Sequence, residues 1–208
     1  MKNIYLIVAA ILLMTINVTA QNINPSNGGY ENRRIINKKK FHVLYEEVAI
    51  DKTVDEVWNE VAGNFVNVSE IVKSVKSSEG ISGNLTTGLG ATRQCELDFQ
   101  GKTVELKEQI IDFKECGDYR AFTYDVYESK GFPAKTYNTW VVRKGEDGKT
   151  YLGTVFIFRA NIGIATGIME KQLKKTGLRT GILSYKHYLE TGEKKVSAEK
   201  LEELYPSE

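Results

Sequence analysis

The spacing of apolar residues changes several times along this chain, and each change marks an element. Ile4 to Met14 is an unbroken apolar run of eleven residues. Phe41 to Ile50 is rich in Val, Tyr and Phe and reads as a strand. Thr53 with Glu56 three residues on is a capping box. Val54, Val57, Trp58 and Val61 then fall on one helical face, which predicts a helix to about Ala62, closed by Gly63. Phe65, Val68, Ile71 and Val72 predict a second, short helix over Asn64 to Ser74.

From Val75 the period becomes two. A weak strand is expected over Lys76 to Gly83. Stronger ones follow over Ala91 to Gln100, Lys102 to Lys114, Asp118 to Glu128, Ala134 to Gly145 and Lys149 to Ala160. Gly101-Lys102 fits a two-residue turn, Glu115-Cys116-Gly117 a three-residue loop, and Glu146-Asp147-Gly148 a third hairpin connection. Gly163 to Glu190 reads as one long helix carrying Gly167, Gly177 and Gly181, which permit close approach to a strand or mark a bend. A further turn of helix is expected at Ala198 to Leu204 within a charged tail. A strand, a helix pair, a run of antiparallel strands and a long last helix make an α+β layout. In such a layout a curved sheet of about seven strands wraps around the C-terminal helix and leaves a cavity between them.

The first twenty residues stand apart. Lys2 is the only charge before Glu31, the apolar run is shorter than the roughly 20 residues of a membrane span, and Val18-Thr19-Ala20 ends in a small residue. This is the pattern of a secretory signal peptide cleaved after Ala20. An uncleaved anchor is the competing reading, weakened by Thr15, Asn17 and Thr19. The expected organisation is a signal peptide over 1–20, a polar arm over 21–40, a body over 41–193 and a charged tail over 194–208. The expected location is a periplasm or the medium.

Charge narrows the partners. The 208 residues carry 28 Lys and Arg against 27 Asp and Glu. Loss of Lys2 leaves the body balanced, which excludes a dedicated nucleic-acid binder. Lys38-Lys39-Lys40 offers anionic headgroups at most a weak contact. His42 and His187 have no carboxylate or Cys at ligand spacing, so no metal is expected. No cofactor and no Ser-His-Asp order is read, and no pattern specifies an oligomeric state.

The hairpins supply candidate site residues. If Gln100 pairs with Thr103, Cys95 faces Glu108, and Arg93 and Glu108 become diagonal neighbours on the inward face. A three-residue loop at Cys116 would pair Glu108 with Tyr124, which could then hydrogen-bond it or a ligand. An inward Arg-Glu pair is first a closed structural ion pair. Its functional alternative is a polar anchor where Arg93 meets a ligand carboxylate or phosphate. Asn138, Trp140 and Phe156 or Phe158 complete the expected lining. Glu108 is a catalytic candidate only if the protein is an enzyme. Cys95 and Cys116 are too far apart along the strand to bridge and are expected as free thiols.

In order and spacing, Val57-Trp58 followed by Phe65, then Gly88-Leu89-Gly90-Ala91-Thr92-Arg93, Gly101, Glu108 with Asp112, Phe132-Pro133, Tyr137 and Trp140-Val141 resemble the SRPBCC superfamily. These are START-like, birch-pollen-allergen-like and polyketide cyclase/dehydrase-like helix-grip proteins. The resemblance runs from about Phe41 to Glu193. It implies a helix-grip fold and a small hydrophobic or lipid-like ligand, with cyclase or hydrolase chemistry as the alternative and a collapsed interaction module as a third. The Gly88 to Arg93 loop leads into a strand, so it lacks the helix N-terminus of a phosphate loop and is expected at the cavity mouth.

Overall fold

A computed structural model describes residues 33–36, 39–81, 85–99, 101–132, 134–161, 173 and 178–206. All of them belong to the compact unit Glu31–Glu208. The expected signal peptide, most of the expected arm and the first half of the long helix, with Gly167 and Gly177, lie outside the described residues.

Eight strands form one antiparallel sheet: β1 (Arg33–Ile36), β2 (Lys39–Ile50), β3 (Val75–Gly80), β4 (Thr92–Phe99), β5 (Lys102–Cys116), β6 (Tyr119–Lys130), β7 (Ala134–Lys144) and β8 (Thr150–Ala160). Their order is β1-β2-β8-β7-β6-β5-β4-β3. Seven match the expected strands. The eighth, β1, lies in the stretch read as a polar arm and pairs with the start of β2.

Between β2 and β3 sit helix α1 (Val54–Gly63) and a 3-10 helix (Phe65–Glu70). The capping box is present: Glu56 N–H donates to Thr53 Oγ1 at 3.2 Å, and Thr53 N–H donates to Glu56 Oε2 at 2.8 Å. Two of the amides that every helix start leaves unpaired are thereby satisfied. The buried face is Val54, Val57, Trp58, Val61 and Ala62, and α1 packs on β6, β7 and β8. Helix α2 (Leu178–Thr191), within the stretch expected as a long helix, lies on β2 and β8. The layout is the helix-grip architecture.

The charged tail is tied down. Helix α3 (Ala198–Leu204) covers the limits expected for it and docks on α2. Leu201 is fully buried with Leu183 and Val196 in a small second core. His187 Nε2 lies 2.9 Å from Glu193 Oε2 and its Nδ1 lies 3.1 Å from the Tyr205 hydroxyl. This histidine therefore does find a carboxylate, six residues on, but the contact fastens the tail.

Two hairpin registers differ from expectation. In the β4–β5 hairpin Phe99 pairs with Lys102, so every partner moves by two from the expected register. Gly101 takes the second turn position at φ +74°, where a glycine is favoured, and its N–H is held by Asp98 Oδ1 at 2.9 Å. A shift of two keeps every side chain on its face. In the β5–β6 hairpin Cys116 pairs with Tyr119 across Gly117-Asp118, a two-residue turn. Bulges follow between Ile110 and Asp112 and between Lys107 and Glu108. The extra residues, Ile111 and Tyr127, are exposed, and the bulges return Glu108, Ile110, Tyr124 and Val126 to the inner face.

Candidate functional site

The corrected β4–β5 register sets Arg93 directly opposite Glu108, not diagonal to it. Both are buried, at 7% and 4% exposure, in an otherwise apolar wall. Arg93 Nε donates to Glu108 Oε2 at 2.5 Å, and Nη1 donates to the Phe65 carbonyl. The guanidinium also lies over two rings, 4.2 Å from the Phe65 centroid and 5.1 Å from that of Tyr124. Burial alone would lower the Arg93 pKa. Glu108, with Cys95 and Tyr124, more than offsets this, and the net direction is up.

Cys95 comes next along β4. It pairs across from Leu106, not Glu108, because of the register shift. Its Sγ lies 3.8 Å from Glu108 Oε2 and 3.3 Å from Ser78 Oγ. Burial pushes the thiol up to about 11, opposed in part by Arg93. Cys95 is a buried free thiol and Cys116 an exposed one, ten residues apart along the strand pair. At about 3.3 Å per residue that is roughly 30 Å, well beyond bridging distance.

Tyr124 faces Ile110, not Glu108, and its hydroxyl accepts from Asn138 Nδ2 at 3.0 Å. Asn138 Oδ1 accepts from Thr154 Oγ1 at 2.5 Å. Burial raises the Tyr124 pKa, helped by Glu108. The expected Tyr124–Glu108 hydrogen bond is therefore replaced by a chain along β6, β7 and β8. Trp140 lies edge-on to Tyr185 of α2, with centroids 5.4 Å apart, and Phe156 stacks on Phe158 at 5.7 Å.

These groups enclose a cavity of about 280 Å³ between sheet and helix. All seven candidates line it: Arg93, Cys95, Glu108, Tyr124, Asn138, Trp140 and Phe156. Phe158 does not. The apolar remainder comes chiefly from Leu97, Phe99, Leu106, Val126 and Phe132, with Leu178 and Gly181 closing the helix side. Strand alternation beyond the candidate positions would have found the first four. Thr136, two positions from Asn138 on β7, was equally legible by that rule. The Phe65 carbonyl that holds Arg93 leaves no signature in side-chain pattern.

The glycine loop is not at the cavity. Of the segment Gly88 to Arg93 only Arg93 lines it, while Leu89 is 65% exposed. Gly90 N–H instead donates to the Ile110 carbonyl at 2.9 Å, which fastens the loop to the start of the β4–β5 ladder. A second, larger depression of about 650 Å³ is open to solvent. It lies among Lys52, Glu56, Lys186 and Glu190, which already pair with one another. Among the described residues no three His, Cys, Asp or Glu side chains cluster to hold a metal ion.

An antiparallel sheet and a C-terminal helix with a cavity between them, and a buried polar pair in its wall, make the helix-grip arrangement. No protein-family model and no curated protein matches the chain. Solved structures do, at the level of fold. A START superfamily protein from Mycobacterium smegmatis superposes with a TM-score of 0.61 at 10% identity, covering 73% of this chain and 99% of its own. The ZhuI aromatase/cyclase from Streptomyces sp. R1128 gives 0.59 at 12%, covering 72% and 94%. A major latex-like protein from Panax ginseng gives 0.56 at 18%, covering 73% and 97%. These neighbours are members of the SRPBCC helix-grip superfamily.

Proposed function

We propose that this chain is an exported binding protein that holds one small, largely apolar molecule between the sheet and the long C-terminal helix. The observation that carries this reading is the cavity itself. It has about 280 Å³ of open space, mostly apolar walls, and a minority of polar side chains, among them the buried Arg93, Glu108, Tyr124 and Asn138. Preformed apolar pockets with a few placed polar groups are the usual form of a small-molecule site. Burial of the ligand's apolar surface supplies affinity, and the polar groups supply orientation. Export is supported by the charge-poor apolar start of the sequence. The open volume favours binding over a collapsed interaction module.

An enzyme working through Glu108 has less support. Cys95 and Tyr124 beside it are both shifted upward by burial, so neither serves as a base near neutral pH. His42 and His187 do not line the cavity.

Native mass spectrometry of the purified chain, followed by organic extraction, tests the reading. The expected result is one small molecule per chain, lost in a Gly181→Phe variant. The new ring would enter the cavity, since a side chain starting at Gly181 begins 3.9 Å from Trp140. A wild-type chain that carries nothing, and takes up no neutral apolar probe such as 1-octanol, overturns it.

A further inference from the structure

The Arg93–Glu108 pair restricts the charge of what the cavity accepts. The two side chains neutralise each other across one hydrogen bond, and Arg93 spends a second donor on the Phe65 carbonyl. Its Cζ also lies over the Phe65 and Tyr124 rings, 4.2 and 5.1 Å from their centroids. The contacts of Arg93 thus use Nε and Nη1, and those of Glu108 use Oε2. Among the described residues, Nη2 of the one and Oε1 of the other have no hydrogen-bond partner, and both residues line the cavity. The polar end therefore offers one free donor atom and one free acceptor atom on a pair with no net charge.

A carboxylate or phosphate entering here would meet an arginine already compensated and a glutamate oxygen beside it. A cation would meet the guanidinium. Either would bury a charge without its own counter-ion, which costs far more than a satisfied neutral group. Size adds a second restriction. At about 30 Å³ for a water-sized group, 280 Å³ holds on the order of ten such groups, well short of a two-chain lipid.

We propose that the ligand is a small uncharged molecule, on the order of ten non-hydrogen atoms, whose single polar group both donates and accepts. An alcohol or a primary amide on an apolar body has this form, and a fatty acid or phospholipid does not. This sharpens the binding reading and rests on it. It departs from the alternative reading of the pair, in which Arg93 meets a ligand carboxylate or phosphate.

The test compares three probes of one chain length, 1-octanol, octanoate and octylammonium, by isothermal titration calorimetry at pH 7. 1-Octanol should bind at least tenfold more tightly than either ion. The Glu108→Gln variant leaves Arg93 without its counter-charge while keeping the side-chain shape. In it the preference should turn toward octanoate by a similar factor, and circular dichroism on the same sample reports whether it is folded. The wild-type comparison stands alone if that variant does not fold. Octanoate binding as tightly as 1-octanol to the wild type overturns the charge inference and leaves the binding reading intact. No binding of any of the three probes overturns the charge inference, and the binding reading with it when the purified chain also carries no molecule.

Discussion

The inner faces of β5 and β6 carry two different interiors on the same pair of strands. At the hairpin end Phe113 and Phe122 meet Trp58 of α1 and Phe65 of the 3-10 helix, with ring centroids 5.3 to 6.3 Å apart. None of Phe113, Phe122 and Trp58 lines the cavity. Beyond the Ile111 bulge the same two strands present Glu108, Leu106, Tyr124 and Val126 to open space. The strands do not differ in kind. What differs is the partner: α1 delivers an indole, whereas α2 delivers Leu178 and Gly181. The same pair of strands thus becomes core or cavity according to the bulk of the helix side chain opposite.

The largest effect should come from the closed end. Trp58→Ala removes a ring that is 3% exposed, meets Phe113 at a tilt and Phe122 edge-on, and donates to Glu115 Oε1. It should cost about 3–5 kcal/mol in urea unfolding. Phe156→Ala at the cavity wall should cost about 1–2 kcal/mol, because one side of that ring already lacks packing partners. The enlarged cavity should then take a longer alcohol. Equal costs for the two substitutions would erase the distinction between core and cavity.

The polar pair comes next. Arg93→Met leaves Glu108 buried without its partner and should cost about 3 kcal/mol. Adding Glu108→Met removes the second charge, so the double variant should regain a large part of that loss. A double variant no more stable than Arg93→Met would mean that Arg93 acts through the Phe65 carbonyl and its ring contacts instead of through Glu108.

The comparison also shows what the sequence could reveal. Periodicity resolved the elements and, more usefully, the face of each residue. Arg93, Cys95, Glu108, Tyr124, Asn138, Trp140 and Phe156 all line one cavity, although two of the hairpin registers behind their placement were wrong. Face survives a register error of two, but partnership does not. Arg93 therefore gained a direct partner and Tyr124 gained Asn138 in place of Glu108. The bulges were the harder feature. Ile110-Ile111 breaks the alternation of β5, and a consecutive apolar pair is the only trace a bulge leaves. The shallow placement of the Gly88 loop was illegible for another reason. It depends on a backbone hydrogen bond to Ile110, which no side-chain pattern encodes.

Gly181 offers a smaller and opposite test. It lies within a helix, has an ordinary negative φ, and a methyl group there meets Trp140 at a comfortable 3.9 Å. Gly181→Ala should raise stability by about 0.5–1 kcal/mol through helix propensity. The same methyl group enters the cavity, so affinity for the extracted ligand should fall. Stability and binding moving in the same direction would show that α2 does not form the cavity's far wall.

The smallest effect at neutral pH concerns the two thiols. Cys116 is exposed at a hairpin end, whereas Cys95 is buried with its pKa raised from 9.0 to about 11, chiefly by burial. Ellman's reagent at pH 8 should therefore label one thiol at once and the second only on unfolding. The sign of the linkage follows from the same shift. Folding holds the Cys95 proton that the unfolded chain releases first, so its contribution to stability is complete below about pH 9. It is then lost as the pH rises through about 11. Urea midpoints measured at pH 8, 10 and 11 should fall more steeply for the wild type than for Cys95→Ala, which has no proton to lose at that position. Parallel curves, or rapid labelling of both thiols at pH 8, would mean that solvent reaches the Arg93–Glu108 end of the cavity freely. That end would then differ from the aromatic end in water content and not only in packing.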